Sequence, residues 1–377
     1  MKILLINQYY YPDHSASSQF LTDLAEHLAS EGRDVTVLCS RSGYDGGVIG
    51  PRRDSHNGVK IRRVPACTFG KGSMVGRLAD YLSFFVLASV SALLFARRYD
   101  VAITLTTPPL ISFLGRLLQL FRGSRFVYWL MDSYPASAIR YGILRPDRAS
   151  TRLLSNIAKS TLRAADAVVV LGQCMRRHVR EMGVPDRRIV IIDNWADCRD
   201  IVPIPKDENP LVDELGLHGK FVIAYSGNMG LCHSFETILE GAERLQERED
   251  IVFLFVGGGK RRDEIARRVD ERGLSNVRFL PYQKRHLLRY SLTLADVHLI
   301  SQRATMTGLI VSSKLYGILA AGVPALLVGP AETQIGQIIL RGQCGTVVEE
   351  GDTDGFVEFV RTVYDNPKTR RRLGNNA

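Results

Sequence analysis

The feature that most constrains the fold is an alternation of apolar runs with helical patterns, which occurs twice in 377 residues. Residues 3–6 form an apolar run, residues 20–28 show helical spacing, and residues 35–38 form the next run. Such βαβ units predict a parallel sheet with helices on both faces. The alternation restarts at Phe221. We therefore expect an α/β protein with two doubly wound, Rossmann-like domains.

A stretch rich in proline and charge separates the two halves. It contains Pro203, Pro205 and Pro210, which are typical of a linker. We predict an N-terminal domain over residues 1–198, a linker over 199–219 and a C-terminal domain over 220–377. In doubly wound sheets, ligands bind beyond the carboxyl ends of the strands, so the loops at those ends are the candidate sites.

Charge and apolar sequence together point to a membrane surface. The net charge is +10, which favours an anionic partner. Residues 81–96 carry no charged side chain, Arg97 and Arg98 follow, and a spanning helix needs about 20 apolar residues. We expect a helix that is either buried in the core or lies in the membrane interface, rather than a span. The apolar stretch 110–121 would join it in a membrane-facing patch.

The N-terminus and the titratable residues predict the cellular location and the absence of a metal. The apolar run after Lys2 is too short for a secretory signal, so we expect a cytoplasmic protein, peripheral at the inner face of the cell membrane. No Asp and His cluster has the spacing of a metal site, and no metal is expected. The basic residues are not interleaved with exposed aromatic residues and no known module is visible, so no nucleic-acid partner is expected.

The loop after the first strand lacks the G-x-G-x-x-G fingerprint, which disfavours a dehydrogenase. His14, Ser15 and Ser17 precede or open the first helix and are candidates for binding hydroxyl groups or anions. The alternative is that Ser17 or Ser18 only caps the helix.

The second half offers a diphosphate cradle. Gly227 and Asn228 follow one strand, and Gly257 to Lys260 follow the next, where glycines let a backbone approach a phosphate. Ser312, Ser313 and Lys314 add two hydroxyls and a positive charge. The alternative for Lys314 is an ordinary solvated lysine.

The order of these motifs resembles the donor-binding half of the family-4 retaining glycosyltransferases with the GT-B fold, and residues 1–38 are similar to the acceptor half. The motifs lie at 225–230, 255–259, 277–282 and 308–324, and the resemblance covers nearly the whole chain. It is nearest to bacterial capsule, O-antigen and exopolysaccharide transferases, including fucosaminyltransferase-like proteins. It implies two domains facing a cleft and transfer of a hexosyl or N-acetylhexosaminyl group, with retention, from a nucleotide sugar, UDP-linked for preference.

The resemblance also implies roles for individual residues. The implied catalytic residues are Asp132, Thr307 and Lys314. The implied donor-binding residues are Gly227, Asn228, Gly257, Lys260, Pro281, Tyr282, Arg303, Gly308, Ser312 and Ser313. His14, Ser15 and Ser17 would contact the acceptor, a saccharide or a polyprenyl-diphosphate-linked saccharide.

The chain departs from the family in its charged positions. The nearest matches to the family's pair of glutamates are Thr307 and Gly317, and His233 lies where many members have basic residues. Lys260, Arg303 and Lys314 would supply the missing charge. Two alternatives stay open: a non-catalytic sugar-nucleotide-binding subunit, and a GT-B sugar-nucleotide epimerase, which the missing carboxylates disfavour.

Overall fold

The computed structural model describes residues 1–13, 15–44, 46–67, 69, 74–94 and 99–377. The chain forms two compact units. The first comprises Met1–Asp193 and Gly308–Ile310, and the second comprises Asn194–Thr307 and Val311–Ala377. Each unit holds a largely parallel sheet with helices packed on it, so the predicted class, two doubly wound α/β domains, is confirmed.

The first unit is built on an eight-stranded sheet in the order β3-β4-β2-β1-β5-β6-β7-β8. Its strands are β1 (Lys2–Ile6), β2 (Asp34–Ser40), β3 (Arg53–His56), β4 (Val59–Val64), β5 (Val101–Thr104), β6 (Arg125–Leu130), β7 (Ala167–Val170) and β8 (Ile189–Ile191). Its helices are α1 (Ala16–Ser30), α2 (Met74–Leu94), α3 (Ser112–Arg122), α4 (Ala136–Arg140), α5 (Ala149–Ala164) and α6 (Gln173–Glu181).

Central strand β1 shows why these apolar runs form a parallel sheet. Ile3 lies opposite Val35 on one side and Val101 on the other, and four of its five residues are buried. A strand covered on both faces needs apolar side chains at successive positions. Among the strands that the structure describes, β3 alone pairs antiparallel, with β4, and this edge hairpin was not expected from the sequence.

The second unit has a six-stranded parallel sheet in the order β11-β10-β9-β12-β13-β14. Its strands are β9 (Phe221–Ser226), β10 (Ile251–Val256), β11 (Val277–Leu280), β12 (Val297–Ser301), β13 (Ala325–Val328) and β14 (Gly345–Val348). Its helices are α7 (Pro210–Glu214), α8 (Glu236–Arg244), α9 (Arg262–Glu271), α10 (Leu288–Thr293), α11 (Lys314–Ala320), α12 (Gln334–Gly342), α13 (Thr353–Asp365) and α14 (Pro367–Asn376).

The segment 199–219, set apart as a linker in the sequence, packs into the second unit. It contains α7, which Asn209 caps by accepting a hydrogen bond from the Leu211 backbone N–H. Ile201, Val212 and Leu217 are buried in the core of that unit. The prolines and charges therefore lie between apolar anchors rather than in an extended connection.

Helix α2 is long and only partly covered. Phe84, Ala88 and Ala92 are buried against the sheet and α3. The opposite face exposes an apolar stripe made of Val75, Leu78, Leu82, Val86, Leu87, Val90 and Leu94. Among the described residues, Val75–Leu94 is the one helix long and apolar enough to cross a membrane, and 22% of its apolar window is buried. One face of α2 therefore belongs to the core, and the opposite face is not covered by the residues that the structure describes.

The start of α1 differs from one sequence alternative. Ser15 is at the N-cap position and the helix begins at Ala16, so Ser17 and Ser18 lie in its first turn and do not cap it. The carboxylate of Asp13 accepts a hydrogen bond from the Ser15 backbone N–H at 2.8 Å. His14 lies outside the described residues.

Candidate functional site

Two glycine loops meet at the carboxyl ends of β9 and β10 in the second unit. The Met229 N–H donates to the Gly258 carbonyl at 2.7 Å, and the Gly227 N–H donates to the Val256 carbonyl at 2.8 Å. The hydroxyl of Tyr225, at the end of β9, donates to the Asn228 carbonyl at 2.9 Å. The loop that contains the predicted donor residues Gly227 and Asn228 is therefore hydrogen-bonded to the end of β10 and to the loop that begins at Gly257, the third predicted donor residue.

These loops require glycine. Gly227 and Gly257 have φ angles of +130° and +129°, a region that side chains with a Cβ rarely adopt. A Cβ on Gly257 would lie 2.3 Å from the Gly227 carbonyl oxygen, and a Cβ on Gly227 would lie 2.6 Å from Cε of Lys314. The glycines thus bring two backbones and one lysine stem into close approach.

Lys314, the first residue of α11, reaches across the first glycine loop. Its Nζ lies 3.1 Å from Nε2 of His233 and 3.4 Å from the Asn228 carbonyl oxygen. It also lies 4.9 Å from the centre of the Tyr225 ring, within cation–π range. Burial lowers the pKa of Lys314 from 10.5 to about 8. The alternative of a fully solvated lysine is therefore wrong, because Lys314 is partly buried and held at the loops.

His233 holds the ammonium of Lys314. The ring is 4% exposed, and its Nδ1 contacts the Ser301 carbonyl oxygen. Since a carbonyl only accepts, Nδ1 carries the proton, and the lone pair of Nε2 accepts the hydrogen bond from Lys314. Burial, reinforced by the charge of Lys314, lowers the pKa of His233 to about 3. The imidazole of His233 is therefore neutral, and it orients the lysine without adding a second positive charge beside it.

Two arginines fix the backbone of the same histidine. Arg261 donates from Nη1 to the His233 carbonyl at 2.7 Å, and the predicted donor residue Arg303 donates from Nε at 3.2 Å. Arg261 also pairs with Glu264 at 2.8 Å, so part of its charge is neutralised. The loop after β9 is therefore lined by basic groups whose positions depend on each other.

The remaining predicted donor residues surround this cluster less tightly. Tyr282 and Pro281 follow β11 and are exposed, and the Tyr282 ring would contact a Cβ on Gly258 at 3.1 Å. Lys260 is exposed at the turn before α9. Ser312 and Ser313 immediately precede Lys314 and are half-buried.

Thr307 and Gly317 occupy the positions nearest to the family's two glutamates. The Thr307 hydroxyl is buried and has no hydrogen-bond partner among the described residues. A Cβ on Gly317 would lie 3.3 Å from Leu292 Cδ1, so its neighbours are apolar. Gly308 belongs to the first unit. A Cβ on Gly308 would lie 3.1 Å from the Cys174 carbonyl oxygen.

The first unit contains the third predicted catalytic residue. Asp132 follows β6, and its backbone forms an antiparallel bridge with Ile310. Part of Asp132 is exposed, and desolvation of its carboxyl raises the pKa from 3.8 to about 6. The next residue, Ser133, has its hydroxyl 2.8 Å from Nε2 of His178. This end of β6 therefore carries a carboxylate of raised proton affinity beside a paired hydroxyl and imidazole.

The predicted acceptor residues lie after β1 in the same unit. The Ser17 hydroxyl accepts a long hydrogen bond of 3.5 Å from Nδ2 of Asn7. The Ser15 hydroxyl is buried and has no partner among the described residues. Both serines are half-buried, and their hydroxyls are thus only weakly engaged by the protein.

Sequence reasoning missed the residues that orient Lys314, namely Tyr225, His233, Arg261 and Ser301. His233 was noticed only as a departure from the family pattern. Its spacing, seven residues after the end of β9, places it in a long loop, and no local signal shows which groups such a loop brings together. Among the described residues, no group of three or more His, Cys, Asp or Glu side chains is placed to hold a metal ion.

Comparison with known proteins identifies both halves of the chain. The family described as "Glycosyl transferase 4-like domain" matches residues 16–195, and the family described as "Glycosyl transferases group 1" matches residues 209–377. The solved structure of HepE from Anabaena in complex with UDP-glucose superimposes with a TM-score of 0.72 at 15% identity, covering 100% of this chain and 93% of HepE. This likeness supports the fold.

Curated relatives extend over most of the chain. WbjE of Pseudomonas aeruginosa, named as a glycosyltransferase, is 31% identical over 343 residues, which are 90% of this chain and 83% of WbjE. WcaI of Escherichia coli, named as a colanic acid biosynthesis glycosyl transferase, is 27% identical over 350 residues, 90% of this chain and 86% of WcaI. The chain therefore belongs to the glycosyltransferases of the GT-B fold, with a glycosyl transferase 4-like first half and a group 1 second half.

Proposed function

We propose that this glycosyltransferase moves a hexosyl or N-acetylhexosaminyl group from a UDP-linked sugar to a saccharide or lipid-linked acceptor, with retention of anomeric configuration. The observation that carries the proposal is the ammonium of Lys314 held at two glycine loops. A preorganised cation in a partly desolvated site stabilises the charge that develops on a leaving diphosphate. The UDP-glucose complex of HepE supports the choice of nucleotide.

Within this proposal the second unit binds the donor. Gly227, Asn228 and Gly257 leave room for the diphosphate, Lys314 and Arg303 supply positive charge, and the strand end at Pro281 and Tyr282 receives the nucleobase. Retention and the similarity to fucosaminyltransferase-like proteins rest on the resemblance of the motifs. No metal takes part in the proposal, because basic side chains neutralise the diphosphate.

The acceptor and its location belong to the same proposal. The protein would act on cell-surface polysaccharide precursors at the cytoplasmic face of the membrane, and its relative WcaI is named for colanic acid biosynthesis. The exposed apolar stripe of α2 supports peripheral contact with the bilayer, and the net charge of +10 would attract anionic lipids. In the first unit, Asp132, Ser15 and Ser17 are the proposed acceptor-side residues.

A donor screen tests the central step. The unfolding midpoint of the purified protein would be followed with UDP-, GDP-, ADP- and dTDP-sugars, since a ligand that binds only the folded state raises that midpoint. We expect the UDP-sugars to give the largest shift. If no nucleotide sugar shifts the midpoint, the proposal fails. A clear shift without sugar transfer to any membrane extract would favour the non-catalytic binding subunit.

The membrane contact is tested on α2. Leu78, Leu82 and Val86 are exposed, so replacing all three by serine should leave the fold intact while reducing retention on washed membranes at low salt. The control is Leu153→Ser, on the exposed side of α5 in the same unit. Equal retention of the triple variant and the control would contradict a membrane role for the stripe.

A further inference from the structure

Asp132, the proposed acceptor-side carboxylate, lies just beyond the strand that leads to it. Strand β6 ends at Leu130, and its pairing with β7 ends at the same residue, opposite Val170. Asp132 comes two residues later and is partly exposed. Its position therefore depends on groups outside the sheet, because a segment beyond the ladder is more mobile than the strand itself.

Ser133 fixes the backbone next to the carboxylate. It is 2% exposed, and each of its polar groups has a partner. Its N–H donates to the Leu309 carbonyl oxygen at 2.9 Å, and its carbonyl accepts from the N–H of Ser137 in α4 at 2.8 Å. Its hydroxyl lies 2.8 Å from Nε2 of His178 in α6. Three separate parts of the first unit therefore meet at this one residue.

The segment Gly308–Ile310 belongs to the first unit and packs against the end of β6 and against α6. Ile310 forms an antiparallel bridge with Asp132. Gly308 has a φ of +78°, and a Cβ on it would lie 3.1 Å from the Cys174 carbonyl oxygen. Glycine is needed here both for the backbone conformation and for the close approach.

Helix α6 is a fixed support for this junction. Met175 and Val179 are buried, which anchors one side of the helix in the unit. Cys174 and His178 are four residues apart and therefore share a face of the helix. A Cβ on Gly308 would lie 3.7 Å from Cβ of His178. The same face of α6 thus contacts the segment 308–310 through its backbone and Ser133 through an imidazole.

The bond between His178 and Ser133 joins two uncharged groups. The imidazole is half-buried, and burial lowers its pKa from the usual 6.5, so the ring is neutral at pH 7. A glutamine side chain offers both a donor and an acceptor to a hydroxyl, whereas a phenyl ring offers neither. Glutamine should therefore reproduce the bond, and phenylalanine should remove it.

We propose that His178 is a positioning residue. Through the hydroxyl of Ser133 it holds Asp132 and the segment 308–310 in the arrangement that sugar transfer requires. Thr307 directly precedes this segment in the chain, so two proposed catalytic residues each adjoin a residue held at the junction. The inference rests on the proposed function, in which Asp132 lies on the acceptor side. Its effect should be on the rate of transfer rather than on donor binding, because the glycine loops of the second unit are held by contacts of their own.

The first test needs no substrate. It compares His178→Phe and His178→Gln with a matched control, His27→Phe, at an exposed site of α1 in the same unit. Hydrogen exchange at the Ser133 N–H reports the bond to the Leu309 carbonyl oxygen. We expect exchange to be roughly tenfold faster or more in the phenylalanine variant, as loss of one supporting hydrogen bond implies. The glutamine variant and the control should exchange as the wild type does.

The second test measures turnover as release of UDP from UDP-glucose, with washed bacterial membranes as the source of acceptor. His178→Phe should lower kcat roughly tenfold or more, because misplaced reacting groups slow the chemical step. The KM for UDP-glucose and the UDP-glucose shift of the unfolding midpoint should stay at their wild-type values. His178→Gln should restore most of kcat.

Ser133→Ala removes the same bond by deleting one oxygen atom, so it serves as the second variant if the phenyl ring does not fit. The double variant Ser133→Ala/His178→Phe should lose no more activity than either single variant, because both changes act on one interaction.

Three results overturn the proposal: wild-type exchange of the Ser133 N–H in His178→Phe, faster exchange with a wild-type kcat, or losses that multiply in the double variant. The second result would make the pair a structural contact alone. Failure of the proposed function is recognised separately on the wild-type protein, as the absence of both the midpoint shift and UDP release with every UDP-sugar.

Discussion

Lys314 lies in a partly buried site, and burial disfavours the charged form of its ammonium group. Burial holds its pKa near 8 instead of 10.5, so the free protein carries a cost for the protonated lysine. The same partial desolvation strengthens the attraction between the ammonium and a diphosphate, because little water competes for either group. The charge on Lys314 therefore lowers the stability of the free protein and strengthens the binding of the donor.

We predict that Lys314→Met stabilises the free protein but weakens donor binding. Because the folded-state pKa is depressed, the burial cost is fully present below about pH 8 and fades as pH rises from 8 to 10.5. At pH 7 the methionine variant should therefore unfold at a higher temperature than the wild type. Loss of the charged hydrogen bond should cost donor binding ~1.5–3 kcal/mol, measured as the UDP-glucose shift. The control, Lys284→Ala at an exposed site, should change neither quantity.

The same pKa predicts how donor affinity depends on pH. Only the protonated lysine attracts the diphosphate, so the affinity for UDP-glucose should be constant below about pH 8. Above that pH it should fall by up to about tenfold per unit. Arginine stays charged throughout this range, and Lys314→Arg should bind with a flatter profile. An equally steep fall in the arginine variant would show that another group titrates.

The residues of the site differ in how far the sequence predicts them. Lys314 was found from the order of motifs around it, because a strand, a serine pair and a helix start are local signals. His233 was not assigned a role, because its contacts with Lys314 and Ser301 join segments that are distant in sequence. A histidine in a loop belongs to no helical or strand pattern of the sequence. Its partners are therefore known only when the positions of the flanking strands in the fold are known.

At the scale of elements, the paired glycine loops depend on close approach of two backbones. We predict that Gly257→Ala costs ~3 kcal/mol or more of unfolding free energy, because its Cβ would lie 2.3 Å from the Gly227 carbonyl oxygen at a φ of +129°. The control, Gly273→Ala, has a φ of +62° and no atom within 4 Å of its Cβ. It should cost only ~1–2 kcal/mol. Urea denaturation compares the two, and equal costs would argue against tight contact of the loops.

Helix α2 shows the limit of prediction for an element. The uncharged segment 81–96 predicted a helix, and the structure has one that begins earlier, at Met74. Composition alone left open whether core or membrane covers it. Burial of a helix depends on the neighbours that the fold supplies, and among the described residues α3 and the sheet cover the face with Phe84 and Ala88. An apolar pattern therefore predicts that a helix face avoids water, but it does not identify the neighbour that covers that face.

At the scale of the whole molecule, the repeated alternation of strands and helices was sufficient to predict two parallel α/β units. The segment 199–219 shows where composition misleads. Its prolines and charges are typical of a linker, whereas Ile201, Val212 and Leu217 anchor it in the second core. Apolar residues at irregular spacing carry no helical or strand period, so their burial follows only from tertiary packing.

The distribution of charge over the molecule leads to a prediction about metals. The chain has an excess of ten positive charges, and Lys314, Arg261 and Arg303 converge on the loop after β9. These groups can neutralise a diphosphate without a divalent cation. We therefore expect the UDP-glucose shift of the unfolding midpoint to be unchanged by excess EDTA and by added Mg²⁺ or Mn²⁺. High salt should reduce the shift, because it screens the basic groups that the site depends on. If EDTA abolished the shift and Mn²⁺ restored it, the diphosphate would be held by a metal, and the basic cluster around Lys314 would not be the main source of donor affinity.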